Sequence, residues 1–240
     1  MSLPLEDLAG RARPVTLAGR RMLPVPEPLA ELFPGGGMRR GSMVTVDSIS
    51  GTTSLALALV AAASQAGSWA AAVGSWSAEL GLVAAAELGV CLERFTLVPD
   101  AGSHWPAVMA TLLDAVDVVL IGGTAPVRAV DARRLAARAR ERGTVLIVLG
   151  SCWPERTDMR LTVTAARWRG VGQGCGHLQA RQVEVVATGR GAASRRRATR
   201  LWLPGEHGRV EAVEAVGGEP GDVVPADPAT SADPATILAG

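Results

Sequence analysis

Two strand-like apolar runs, separated by a segment of helical periodicity, constrain the fold of this chain more than any other feature. Residues 116–121 read VDVVLI and residues 144–149 read TVLIVL. Strands that lack polar alternation are buried on both faces, as in parallel sheets. Residues 130–142, between the two runs, carry Ala and Arg at helical spacing. The pattern therefore predicts a parallel sheet with helices packed against it.

The same alternation extends through the first 150 residues and then stops. Further strands are predicted at 42–46, 69–73 and 94–98, and further helices at 27–33, 53–66, 77–88 and 105–115. After Gly150 three strand-like segments follow one another with no helix between them, at 160–166, 182–188 and 199–203. We therefore predict an α/β fold with a mostly parallel central sheet flanked by helices and an antiparallel C-terminal β extension.

The length of 240 residues suits one domain with extensions at both ends. We place that domain at residues 27–204, after an N-terminal arm at residues 1–26. Residues 205–240 are acidic, rich in Gly, Pro, Asp and Ala, and contain ADPAT twice. This composition predicts a disordered tail.

Apart from three histidines, the basic residues are all arginine, since the 24 Lys and Arg positions include no lysine. A P-loop ATPase uses a lysine to contact the β- and γ-phosphates, and this chain has none to offer. The three cysteines form no metal-binding pattern, and no apolar run is long enough for a membrane helix. We expect a cytoplasmic protein that holds no metal.

Several segments resemble the RecA recombinase core in the order expected for it, over about residues 27–204. They include LAELFPGGGMRRGSMVTV before the first parallel strand, AELGVCLERFTLVPDAG around a later strand, VDVVLIGG at the Walker B strand, and TVLIVLG. The last three strand-like segments match the closing strands of the same core. The resemblance implies a RecA-like, P-loop-type core.

The phosphate loop of that core is degenerate in this chain. The corresponding stretch is VDSISGTTS, in place of G-x-x-x-x-G-K-[ST]. Gly51 remains, Thr53 can stand for the magnesium-binding hydroxyl, and Thr52 replaces the lysine. Asp47 adds a negative charge where phosphates would bind.

The other catalytic positions implied by the resemblance are also changed. Gly122 stands where the Walker B acid should be, and Gly150 replaces the phosphate-sensing Gln. The general-base Glu falls at Ser77, with Glu79 two residues away. We therefore expect a pseudo-ATPase with no catalytic residues and no cofactor. A retained, non-hydrolysing nucleotide site at Gly51, Thr52 and Thr53 would have poor affinity without the lysine.

Arginine and tryptophan residues near the C-terminal end of the domain are the candidates for partner or DNA binding. The long DNA-binding loop of RecA is reduced to residues 151–158, where Trp153 is either an exposed partner anchor or a cap on the sheet edge. The arginines either bind phosphates or an acidic partner, or line a solvated turn, and a tryptophan beside them either stacks on bases or packs in the core. The remaining candidates are Arg167, Trp168, Arg169, Arg181, Arg190, Arg195, Arg196, Arg197 and Arg200.

This degenerate core is similar to the ImuA family, especially its actinobacterial form, ImuA-prime. That resemblance implies a role in damage-induced translesion synthesis and association with the nucleoid on damage. The implied partners are ImuB, a relative of Y-family polymerases that reaches the sliding clamp, and an error-prone C-family polymerase. Single-stranded DNA is a further expected ligand. The alternatives are a SulA-like inhibitor of cell division and a nucleotide-binding ATPase.

Overall fold

A computed structural model describes residues 22–48, 50–123, 127–150, 153–154, 156–172, 175–213 and 224–225. Predicted segments outside these ranges, including residues 1–21 of the arm and most of the tail, are not described. The helices are α1 Glu27–Ala30, α2 Thr52–Gln65, α3 Leu82–Glu87, α4 Trp105–Ala115 and α5 Ala129–Arg142. The strands are β1 Met22–Pro24, β2 Gly37–Arg39, β3 Met43–Ser48, β4 Ala70–Val73, β5 Phe95–Val98, β6 Val118–Ile121, β7 Val145–Leu149, β8 Met159–Gly172, β9 Cys175–Gly189, β10 Arg197–Trp202, β11 Glu211–Ala212 and β12 Val224–Pro225.

The described residues form a ten-stranded sheet whose strand order is β11-β10-β9-β8-β3-β7-β6-β4-β5, with β12 paired to β8. Strands β3 to β7 are parallel to their neighbours, and β8 is also parallel to β3. Strands β9, β10 and β11 continue the sheet in antiparallel fashion. The predicted α/β fold, with a mostly parallel sheet and an antiparallel extension, is confirmed.

Strands β6 and β7 are buried on both faces, as their composition predicts. Val118, Leu120, Val145 and Ile147 belong to the core that includes α2 and α3. The alternate residues of both strands belong to a second core that includes α4 and α5. Successive side chains of a strand point to opposite faces. The sheet therefore separates two layers of helices.

Helix α2 is buried on almost all sides. Its residues Leu55 to Ala61, together with Ala63 and Ser64, are all buried. The hairpin of β1 and β2 supplies Leu23 and Met38 to the same core. This hairpin was not predicted, and it brings residues upstream of the predicted boundary at 27 into the packed domain.

Two short strands lie within the predicted tail. Strand β11 pairs with β10, and β12 pairs with Arg167 and Trp168 of β8. The part of the tail that the structure describes therefore extends the sheet at two places.

Truncation of a buried side chain in β6 tests the double-faced core. Leu120 is fully buried, and we expect Leu120→Ala to lower the free energy of unfolding by about 2–5 kcal/mol, because it leaves a cavity. Val130 is 57% exposed, and Val130→Ala should change it by less than about 0.5 kcal/mol. Urea denaturation of both variants measures this, and equal losses would contradict the assigned core.

Candidate functional site

The backbone at the phosphate-loop position retains a glycine in a left-handed conformation. Gly51 has φ 84° and precedes α2, and its carbonyl accepts a hydrogen bond from Leu55 N at 2.9 Å. A side chain at this φ would be strained, which explains why glycine is needed. No side chain caps the helix, so its first N–H groups are left to other partners. The turn from strand into helix is thus kept, although the lysine is lost.

The acidic residue at the end of β3 is already paired. Asp47 lies 2.8 Å from Nη1 of Arg160, which is opposite Thr45 on the adjacent strand β8, and both side chains are about half exposed. Surface pairs of this kind contribute little to stability. The pair matters for the local charge, because Arg160 offsets the negative charge that Asp47 adds beside the phosphate loop.

The position that the resemblance assigns to the magnesium-binding acid is covered by an indole ring. Gly122 follows β6, and a Cβ added there would lie 2.8 Å from Nε1 of Trp76. The indole is held in place because Nε1 donates a hydrogen bond to the carbonyl of Val73 at 2.9 Å. Any side chain at residue 122 would collide with this ring.

The general-base position is also closed. Ser77 is fully buried in the 3-10 helix Ser75–Glu79, and its hydroxyl has no hydrogen-bond partner. Glu79, two residues on, is exposed. Gly150, at the position of the sensing glutamine, adopts φ 70° after β7. The described residues at these three positions place no carboxylate or amide side chain in the interior of the site.

Arg181 is buried, which corrects its prediction as a surface contact for DNA or a partner. It is 6% exposed, and its side chain lies on the face of β9 that carries Val183 and Val185 into the core. Its Nε donates to the carbonyl of Leu203 at 2.8 Å, and its guanidinium lies 5.2 Å from the ring centre of Trp168. Trp168 is half-buried, so it packs on this arginine.

Trp153 is buried too, which rules out the exposed partner anchor. It is 7% exposed and belongs to the core that includes Met109 and Leu113. The alternative prediction was a cap on the sheet edge, whereas the core that Trp153 joins includes Val119 and Val148 of the central strands β6 and β7.

Other predicted arginines lie on the surface of the β8–β10 extension. Arg167 faces Gln182 across the ladder, and Arg200 faces Glu184. They line a groove of about 140 Å³ with their neighbours. Arg169 lies over the ring of Trp202 at 4.8 Å and pairs with Glu206 at 3.0 Å. We call Arg167, Arg169, Arg200 and Trp202 the arginine face.

The remaining candidates lie around the turn between β9 and β10. Arg190 contacts Asp158 at 3.2 Å, and its guanidinium also donates to the carbonyl of Arg156. Arg195 and Arg196 are exposed, and Arg197 begins β10. The sequence thus predicted which arginines are exposed at this turn, but it did not predict that Arg190 pairs with Asp158.

Sequence reasoning missed two contacts that define the site. Trp76, which lies over Gly122, was not a candidate, and Arg181 was predicted as a surface residue and not as a neighbour of Gly51. Each contact joins segments that lie far apart in the chain, and a local sequence motif cannot show such a contact. One signal was available for Arg181. Val183, Val185 and Ala187 alternate as an inward face of β9, and extending that alternation by one step places residue 181 inside.

Neither a membrane helix nor a metal cluster is present in the part of the chain that the structure describes. No helix there has the length and apolar character needed to cross a bilayer. No group of three or more His, Cys, Asp or Glu side chains comes together in those ranges.

The fold makes this chain a RecA-like α/β protein. It is similar to the crystal structure of the RadB recombinase, with a TM-score of 0.52 and 19% identity, over 75% of this chain and 94% of that one. At this identity the likeness shows the fold alone, and the RecA-like core expected from the sequence is confirmed. The flagellar accessory protein FlaH from Methanocaldococcus jannaschii aligns with a TM-score of 0.47 and 11% identity, over 76% of this chain and 93% of that one.

Residues 31–155 match the family described as the MT3502 N-terminal domain, and the chain belongs to that family. A curated relative is the uncharacterized protein Rv3395c of Mycobacterium tuberculosis (strain ATCC 25618 / H37Rv). It is 38% identical over 136 residues, which are 52% of this chain and 66% of that protein. The alignment thus spans just under two thirds of the relative.

Restoring the missing acid tests whether Trp76 fills its place. We expect Gly122→Asp to lower the free energy of unfolding by about 1–3 kcal/mol, because the new side chain collides with the indole. The loss in the double variant Trp76→Ala with Gly122→Asp should be smaller than the sum of the two single losses.

Gly81→Asp is the matched control for this measurement. Gly81 has φ −68°, has room for a Cβ and caps α3, where an Asp is favourable. Denaturant unfolding of the four variants gives the coupling. Strictly additive losses would show that the indole does not occupy the place of the acid.

Proposed function

We propose that this chain is a non-catalytic RecA-like accessory protein of damage-induced translesion synthesis. It binds partners within a polymerase assembly and contacts single-stranded DNA. The observation that carries the non-catalytic part is the packing of Trp76 against Gly122, in a chain without lysine. A magnesium-binding acid has no room there, and phosphoryl transfer depends on such charges.

The assignment to translesion synthesis is supported by the degenerate RecA-like core and by the similarity to the ImuA-prime family. On this proposal the partners are an ImuB-like relative of Y-family polymerases and an error-prone C-family polymerase, reached through ImuB and the sliding clamp. The mycobacterial relative carries no functional description. The protein would join the nucleoid when DNA is damaged.

The arginine face supports the contact with single-stranded DNA. Arg167 and Arg200 line one groove on an exposed sheet together with Glu184, which lies 3.7 Å from Arg200. Two arginines against one carboxylate leave the groove positive, and a positive groove can follow a phosphate backbone. Arg169 lies over Trp202, so the cation and an aromatic ring are already placed side by side. Bases stack on such rings with little regard to sequence.

Recovery of partners tests the assembly. Tagged protein isolated from DNA-damaged cells should bring with it a Y-family-like protein and an error-prone polymerase, identified by mass spectrometry. Untreated cells and an unrelated tagged protein are the controls. Recovery of a division protein without any polymerase would support a SulA-like inhibitor and contradict the proposal.

Salt dependence tests the DNA contact. The double variant Arg167→Gln with Arg200→Gln should weaken binding to an oligothymidine and reduce the slope of log K against log salt by about 1.4, since two phosphate contacts are lost. Arg134→Gln, an exposed arginine of α5, should leave both unchanged. Fluorescence anisotropy measures the two quantities. An unchanged slope in the double variant would show that DNA does not bind at the arginine face.

A further inference from the structure

Arg181 is a buried cation with an unsatisfied donor. Its Nη2 is inaccessible to water and has no hydrogen-bond partner. None of the ion pairs among the described residues involves Arg181, and burial alone lowers the pKa of its guanidinium. An arginine nevertheless stays protonated. Burying a charge without a counterion is unfavourable, so its surroundings are incomplete.

The guanidinium lies against the N-terminus of α2. A Cβ added at Gly51 would lie 2.6 Å from Nη2, 2.9 Å from Nη1 and 2.9 Å from Cζ. Thus the glycine is required for a second reason, since only a residue without a side chain leaves room for this arginine. On another side the guanidinium faces the ring of Trp168. The ring offers partial compensation through a cation–π contact but no hydrogen-bond acceptor.

The helix end adds positive potential of its own. Helix α2 has 14 residues and no side-chain cap, so its first N–H groups and its dipole give the end a partial positive charge. A protonated arginine beside that end is repelled by it. Asp47, which precedes the loop, already pairs with Arg160. Two positive groups therefore lie close together, and none of the described residues supplies an anion that pairs with Arg181.

We propose that the N-terminus of α2 and the guanidinium of Arg181 together bind a phosphate group. In this arrangement the N–H groups of Thr52 and Thr53 at the helix end are donors, and the exposed residues Ser50 and Thr53 supply hydroxyls nearby in the chain. A tetrahedral oxyanion can accept from all of these donors at once, and helix N-termini bind phosphates in this way.

This site differs from a phosphate loop in the source of its cation. In the loop the cation follows the glycine directly, whereas here it comes from strand β9 beneath the glycine. Arg181 supplies the positive charge whose absence led us to expect poor affinity. The proposal involves no bond breaking, because Trp76 covers Gly122, where a magnesium ligand would be needed. Binding is therefore independent of magnesium, and it does not depend on the role in translesion synthesis.

Thermal unfolding in phosphate is the first measurement. The melting temperature of the full chain should rise by about 3 to 6 °C at inorganic phosphate ten times Kd, relative to sodium chloride of equal ionic strength. Phosphorus NMR should show saturable broadening of the phosphate signal. Absence of both effects up to about 10 mM phosphate overturns the proposal.

Substitution of the arginine assigns the site. Arg181→Met, which keeps length and apolar contact, should abolish the shift, and Arg181→Lys should keep part of it. Arg94→Met is the matched control, because Arg94 also lies over a tryptophan, Trp69 at 5.8 Å, but at the far edge of the sheet. A full phosphate shift in Arg181→Met overturns the proposal.

A second variant keeps the test decisive if Arg181→Met does not fold. Thr53 is exposed, so Thr53→Val preserves the packing while it removes one donor, and it should weaken phosphate binding several-fold. Unchanged affinity in both Thr53→Val and Arg181→Lys would overturn the site. Pyrophosphate and ADP identify the source: equal affinities support a simple phosphate ligand, and tighter ADP binding supports a nucleotide.

Discussion

Strand β3 joins the two parts of the sheet, because it pairs in parallel with β7 on one side and with β8 on the other. At the last pair of the β3–β8 ladder, Ser48 Oγ accepts a hydrogen bond from Val163 N at 3.0 Å, which adds a side-chain contact to the register. This register places the end of β3, and therefore the start of α2, beside the antiparallel extension. Arg181 of β9 can therefore lie against Gly51.

The packing of the core shows how the fold is kept at the positions where we propose that catalysis is absent. Helix α2 remains buried between the sheet and the β1–β2 hairpin, and Gly51 keeps the turn that starts it. After the ends of β4 and β6, the indole of Trp76 lies against Gly122, and the two residues fit each other. Close packing of this kind stabilises the domain and leaves no space for a magnesium site.

The order of strands and helices could be predicted because burial leaves a local record in the sequence. Residues 118–121 and 145–149 carry apolar side chains at every position, and these short runs, rich in Val and Ile, are typical of strands covered on both faces. The hairpin of β1 and β2 was missed, because its strands of three residues are set by long-range pairing. For the site, the sequence could show only which motif residues are replaced, because Thr52 and Gly122 stand at positions where the motif has a lysine and an acid. Trp76 and Arg181 act through contacts with Gly122 and Gly51, which the chain brings together only on folding.

The central claim is that this RecA-like domain binds without catalysing, and a turnover assay tests it most directly. Purified protein is incubated with ATP and magnesium, with and without single-stranded DNA, and released phosphate is measured against Gly122→Asp and a buffer blank. Our account predicts release at the rate of the blank in all cases. Magnesium-dependent release that increases with protein concentration and disappears with Thr52→Val and Thr53→Val would contradict it.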